Sequence, residues 1–298
     1  MNRPAPAPNG RGGRISSADN SSFGKDGMVM AIKSDSYLTS LFGLEGKSIV
    51  VTGAGGGIGL AISEGLLRAG AEVALCNRTT AKCKPLADRI IAEGGTASVH
   101  QLDVTSLDSI HACVDEVMAK YGKIDVLFNV AGINKREGLL DVEEADYDRI
   151  MDTNLKGLFF MSQAVVREMY KRKRGHIINI GSHNDTGMLG GCSVYGAAKS
   201  GVIALTRSMA VEFAQYGIRC NAISPGHILT ELTQVTWDHP TRGDYLRERI
   251  AMGRPGDPAE LVGIATTHMS HIETGNTKLS LPVLVSLAEA LEVSTDDL

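Results

Sequence analysis

Ser48-Ile49-Val50-Val51-Thr52-Gly53-Ala54-Gly55-Gly56-Gly57-Ile58-Gly59 joins a short β-branched run to a cluster of glycines. A run of that length and composition reads as a strand buried on both faces. Directly after it, Ile58, Ile62, Leu66 and Ala69 recur at helical steps, and Gly70 then precedes a second strand-like run, Val73-Ala74-Leu75-Cys76. The alternation continues down the chain. Residues 97–102, 126–130, 176–180 and 219–223 read as strands, and residues 106–120, 147–171 and 197–216 read as helices. Regular alternation of strand and helix requires crossover connections, hence a parallel sheet with helices on both faces. The expected fold class is α/β, a doubly wound parallel sheet. With 298 residues and 43% hydrophobic content, the chain has enough material for a full core.

The glycines stand between a strand and a helix, where small residues let backbone approach a pyrophosphate and the helix N-terminus offers free N–H groups. Gly53, Gly55, Gly57, Ile58 and Gly59 are therefore expected to bind a dinucleotide. At the end of the second strand, an acidic residue suits a free ribose 2′-hydroxyl. Here Asn77 and Arg78 follow Cys76 instead. The planar guanidinium of Arg78 suits a 2′-phosphate, which favours NADP(H) over NAD(H), unless Arg78 is simply a solvated loop residue.

Tyr195 and Lys199 are four apart at the start of a helix, so they share a face about 6 Å apart along the axis. An ammonium beside a phenol is expected to draw its pKa down toward neutrality and make it a usable acid or base. Ser182 follows the strand at residues 176–180, at the sheet end where open α/β folds bind ligands. Asn154 falls within a helix-like stretch. No His, Asp or Glu cluster shows metal spacing. Five cysteines at scattered positions (Cys76, Cys83, Cys113, Cys192, Cys220) argue against a disulfide scaffold and for a cytoplasmic location.

Taken together, the glycine pattern, Asn129-Val130-Ala131-Gly132, Asn154, Ser182, Tyr195-Gly196-Ala197-Ala198-Lys199 and Pro225-Gly226 resemble the short-chain dehydrogenase/reductase family, over about residues 41–263. The resemblance implies a Rossmann-like fold and an oxidoreductase that interconverts a ketone and a secondary alcohol. It implies that Tyr195 exchanges the proton, Lys199 lowers its pKa and holds the nicotinamide ribose, Ser182 binds the reacting oxygen and Asn154 supports a proton relay. Asp103 and Val104 would sit by the adenine, Asn129 and Ala131 along the cofactor groove, and Ile228 and Thr230, after Pro225 and Gly226, by the nicotinamide amide. Gly56 stands where many NADP-using members carry a basic residue, which leaves Arg78 as the basic discriminator. Within the family, residues 131–136 are similar to gluconate 5-dehydrogenases. Lys135 and Arg136 then either attract a substrate carboxylate or form a solvated pair. His183, Asn184, His227 and Trp237 either line a polar pocket or pack ordinarily. Relatives of this kind imply a homodimer or tetramer.

The two ends read differently. Residues 1–40 are rich in Pro, Gly, Ser and Asn, as a flexible arm is, and no stretch has signal-peptide or transmembrane character. Past residue 263 the family's last strand is not recognisable. Residues 264–298 resemble instead the second half of a phage-repressor-type helix-turn-helix, with an apolar stripe at Leu284, Leu287, Ala288 and Leu291. That segment holds one cation, Lys278, against five carboxylates, a balance that repels phosphate and makes DNA an unsuitable partner. A helical tail packed on the sheet edge or on a partner is the alternative. A nucleotide-sensing regulatory protein is the competing reading of the whole chain.

Overall fold

Residues 43–187 and 189–263 are described in a computed structural model; the arm at residues 1–40 and the tail at residues 264–298 lie outside them. Among the described residues there are six strands, β1 (Ser48–Thr52), β2 (Glu72–Asn77), β3 (Thr96–Gln101), β4 (Val126–Asn129), β5 (Gly175–Ile180) and β6 (Ile218–Ile223). They form one sheet in the order β3-β2-β1-β4-β5-β6, and each neighbouring pair is parallel. Val50 pairs with Ala74 on one side and Leu127 on the other, so β1 is central. All five of its residues are buried, as the unbroken apolar run requires.

Helices cover both faces. α1 (Gly57–Arg68) and α2 (Lys84–Ala92) pack Ile62, Leu66, Leu67, Leu86 and Ile90 against Ile49, Val51, Val73 and Leu75. On the opposite face, α3 (Leu107–Tyr121), α5 (Gly157–Arg172) and α6 (Ser193–Phe213) bring Ile110, Val117, Met161, Val165 and Met209 onto Val50, Ala74, Leu127 and Ile177. The alternation along β1, with Ile49 and Val51 to one core and Val50 to the other, is the period-two rule of a strand. Among the described residues three short helices, α7 (Glu231–Trp237), α8 (Pro240–Arg249) and α9 (Pro258–Gly263), follow β6.

Two helix expectations are corrected. The stretch 147–171 is not one helix: α4 (Glu144–Met151) runs into a π turn at Asp152–Lys156 before α5 begins. The cause is local, since Asn154 is drawn inward to the loop after β4 (below), and a wider turn accommodates the extra residue. The helix expected from residue 197 starts at Ser193, with its first turn closed by Gly196 N–H donating to the Cys192 carbonyl at 2.8 Å. Gly196, a poor helix former, hides that start from a propensity reading.

Far from the ligand end of the sheet, Asp125 ties three elements together. Its carboxylate meets Arg172 at 2.9 Å and Lys123 at 3.1 Å, and accepts the Ser48 N–H at 3.1 Å. Burial alone would raise this carboxyl; Arg172, the Ser48 N–H and Lys123 together hold it below its ordinary value. A carboxyl depressed on folding stabilises above its unfolded pKa, and that contribution fades as pH falls through the folded one. Asp125→Asn should therefore lower stability by about 2 kcal/mol at pH 7, less than for a fully buried pair because both cations are partly exposed. In thermal melts the gap between the two proteins should close below about pH 4. A gap unchanged at pH 3 would refute this account.

Candidate active site

A cleft of about 620 Å³ opens at the C-terminal ends of the strands, between the loops that leave β1 and β4. Open α/β sheets bind ligands here because the chain turns to opposite faces on either side of the central strand. The glycine loop forms one lip and Ala131-Gly132-Ile133 the other. Three glycines are required by close approach. A Cβ on Gly59 would sit 2.2 Å from the Gly53 carbonyl oxygen, one on Gly55 2.6 Å from Asn77 Nδ2, and one on Gly53 2.9 Å from the Ala131 backbone. Gly53 and Gly57 also hold positive φ, at 68° and 51°. Above this cradle, α1 begins without a side-chain cap or an acidic residue in its first turn, which leaves N–H groups for an anion. A pyrophosphate fits that chemistry.

At the far end of the same cleft stand Asn77, Arg78 and Thr79, with Asp103, Val104 and Thr105 across from them. Asn77 donates from Nδ2 to the Thr79 carbonyl at 2.9 Å, which shapes the turn after β2. Asp103 accepts from the Thr105 hydroxyl at 2.7 Å and the Thr105 N–H at 2.9 Å; these bonds, and Arg78 nearby, hold its carboxyl below its ordinary value. Lys82 also lines this end, and was missed in the sequence. It ends a single 3₁₀ turn (Thr80–Lys82) and lies four residues past Arg78, a spacing that was the available signal.

Tyr195 and Lys199 line the cleft from α6; Ser182, which follows β5, is not among the lining residues, but its hydroxyl lies beside the Tyr195 phenol. Lys199 is 3% exposed, and its ammonium donates to the Ile180 carbonyl at 2.6 Å, 5.7 Å from the Tyr195 ring centre. Burial lowers Lys199 to about 8. The Tyr195 phenol moves opposite to the sequence expectation. Burial raises it above its ordinary value, and the neighbouring Ser182 hydroxyl offsets only part of the rise. The ammonium is spent on the Ile180 carbonyl rather than on the phenol. Ser182 Oγ accepts the Asn184 N–H at 3.2 Å.

Asn154 is fully buried in the π turn. Its Oδ1 accepts the Ile133 N–H at 2.8 Å and its Nδ2 donates to the Ile133 carbonyl at 2.7 Å. The amide thus straps down the loop that forms the second lip. Thr230 lines the cleft as the N-cap of α7, whereas Pro225, Gly226 and Ile228 are not among its lining residues. Ile228 is engaged instead in a bridge to Gly256. Asn129 likewise turns inward, donating to Ser162 Oγ and Asn179 Oδ1, both at 2.9 Å. Lys135 does not stand free for a substrate, because Glu137 and Asp146 both pair with it. Its neighbour Arg136 lies close enough to His227 to disfavour the charge there. Among the described residues no cluster of ligands suits a metal ion, and no helix is long and apolar enough to cross a membrane.

Known proteins share this sequence pattern and fold. The family described as short chain dehydrogenase matches residues 47–241. Gluconate 5-dehydrogenase of Gluconobacter oxydans is 39% identical over 76% of this chain and 88% of its own. The 3-oxoacyl-acyl-carrier-protein reductase of Vibrio cholerae is 38% identical over 73% of this chain and 87% of its own. The crystal structure of a gluconate 5-dehydrogenase from Burkholderia cenocepacia, in complex with NADP and tartrate, superposes with a TM-score of 0.72 at 38% identity, covering 75% of this chain and 88% of that one. The chain belongs to the short-chain dehydrogenase family, as an NAD(P)-dependent oxidoreductase acting on a CH–OH group.

Proposed function

We propose that the chain reduces the ketone of a sugar acid such as 5-ketogluconate, and oxidises the matching secondary alcohol in reverse, with NADP(H) preferred over NAD(H). One observation carries the reading. A single cleft has Tyr195 and Lys199 at one end, with the Ser182 hydroxyl beside the Tyr195 phenol, and Arg78 with Lys82 and no carboxylate on the last residues of β2 at the other. Gluconate 5-dehydrogenase among the relatives supports the substrate class.

In this reading Gly53, Gly55, Gly57, Ile58 and Gly59 seat the pyrophosphate, and Asn77, Arg78 and Lys82 surround the adenosine ribose and its 2′-phosphate. Asp103 and Val104 border the adenine; Ala131 and Thr230 border the nicotinamide half. When bound, NADPH supplies the hydride. The Ser182 hydroxyl donates to the substrate carbonyl and holds it. Tyr195 gives its phenolic proton to the same oxygen as the carbon is reduced, and the charge left on the phenolate is stabilised by Lys199. Asn154 acts on the lip, keeping Ile133 and Gly132 packed beside Lys199: a Cβ on Gly132 would lie 2.9 Å from Asn154 Oδ1 and 3.7 Å from Lys199 Nζ. Arg136 is the cation for the substrate carboxylate, since Lys135 is already paired. Five unbonded, buried cysteines support a reducing cytoplasm. An apolar groove at Met151, Leu155, Phe159 and Leu205 supports association with a second copy of this chain.

Arg78→Ala and Lys82→Ala should each weaken NADPH binding about tenfold, or about 1.4 kcal/mol, with NADH little changed. Fluorescence titration of both cofactors checks this, and equal losses for the two would overturn the assignment. Tyr195→Phe should lower kcat about a thousandfold while NADPH still binds; an unchanged rate with 5-ketogluconate defeats the mechanism. Lys199 carries its charge below pH 8 and loses it above. The Kd for NADPH should rise as pH passes about 8, and Lys199→Met should flatten that dependence.

A further inference from the structure

Among the described residues, four buried side-chain atoms have no hydrogen-bond partner: Ser48 Oγ, Asn134 Oδ1, Glu137 Oε1 and His227 Nε2. Buried polar atoms are nearly always paired, so each orphan asks for a reason. Ser48 lies at the opposite end of the sheet from the cleft, and the other oxygen of Glu137 is held by Lys135. Asn134 and His227 stand on loops at the catalytic end of the sheet, and neither is held in an ion pair as Glu137 is.

Asn134 follows β4. Its Nδ2 reaches Cys192 Sγ at 3.7 Å, and Cys192 caps the helix that carries Tyr195 and is near enough to affect the phenol. His227 follows β6 and is fixed by its backbone: its carbonyl accepts the Gly256 N–H at 2.8 Å, and Leu229 N–H donates to the Gly256 carbonyl at 2.8 Å. Burial first, then Arg136 and His183, lower its basicity. At neutral pH the ring is uncharged, with one donor and one acceptor to satisfy. Its neighbours come from the loops after β4 and β5, and His183 adjoins Ser182 directly. The loops after β4 and β6 thus hold one orphaned amide oxygen and one orphaned imidazole nitrogen at the catalytic end of the sheet, one behind Cys192 and the other near His183, just outside the residues that line the cleft.

We propose that Asn134 and His227 are specificity-determining residues that bind hydroxyl groups flanking the reacting carbonyl, so the site selects polyhydroxylated ketones over bare ones. A substrate hydroxyl donates to Asn134 Oδ1, and a second hydroxyl bonds His227 Nε2. A ketone without hydroxyls leaves both atoms unpaired in the complex, which is the situation that gives polar sites their discrimination. The inference rests on the reading of the cleft as a ketone-reducing site, but not on the substrate being an acid.

The test measures kcat/KM with NADPH for 5-ketogluconate, for sorbose as a neutral polyhydroxy ketone, and for 2,3-butanedione, which has no hydroxyl. Wild type should prefer both hydroxylated ketones to the diketone. His227→Phe and Asn134→Leu should each cut that preference about ten- to a hundredfold, mainly through KM, and His227→Gln should restore part of it. A merely structural role lowers all three substrates together and leaves the ratio intact, which overturns the proposal. So does a wild type that prefers the diketone or turns over no hydroxylated ketone. Activity on sorbose but not on 5-ketogluconate, with the ratio still falling in His227→Phe, would reject the sugar acid and keep the hydroxyl site. Arg136→Ala reads the acid separately, through the ratio of 5-ketogluconate to sorbose.

Discussion

Thr52 stands at the point where the sheet divides. Its hydroxyl accepts the N–H groups of Val130 and Ala131 at 3.0 and 3.1 Å and reaches back to the Phe128 carbonyl. β1 sends its connection toward β2, while β4 leads toward β5, so the two loops separate onto opposite faces. Without a tie across the gap, the lips of the crevice would be set only by the loops themselves. The Thr52 hydroxyl fixes them at the last residue of β1, and Gly53 must follow because no side chain fits against Ala131. The glycine loop and the loop after β4 are tied together by this one buried side chain.

A second set of buried polar groups fixes the other half. Asn129 donates to Asn179, Asn179 donates to Thr206 Oγ1 at 2.9 Å, and Thr206 donates to the Val202 carbonyl at 2.7 Å. The chain of bonds crosses from β4 through β5 to α6. It passes one residue from Ile180, whose carbonyl holds Lys199. Since unpaired members would be penalised in the interior, the network allows one relative placement of strand and helix. The distance between Ser182 and Tyr195 is inherited from it.

The strands were legible because parallel strands are apolar throughout, and Ile49 to Val51 or Ile177 to Ile180 need no partner to be recognised. The glycine loop was legible because its neighbours on both sides were. What stayed hidden depends on contacts between distant segments. Lys135 and Arg136 are adjacent in sequence, yet only Lys135 meets Asp146, eleven residues on. Spacing put Tyr195 and Lys199 on one face but could not show that Lys199 spends its proton on Ile180, nor that burial would push the phenol up. Asn129 looked like a groove residue and is a core one. Periodicity smoothed over the π turn, because five residues of irregular pitch scarcely disturb an apolar pattern.

That turn also sets the phase of everything after it. Each residue advances an α-helix by about 100°, so one extra residue in a wider turn rotates the following helix by roughly that angle relative to the preceding one. Met161, Val165 and Met169 reach the core from α5 only with the rotation included. A regular helix through residues 152–156 would swing that stripe off the sheet and bring Lys156 or Arg167 toward it. The wide turn therefore serves two ends at once: it lets Asn154 reach inward, and it works as a gear tooth that meshes α5 with the sheet.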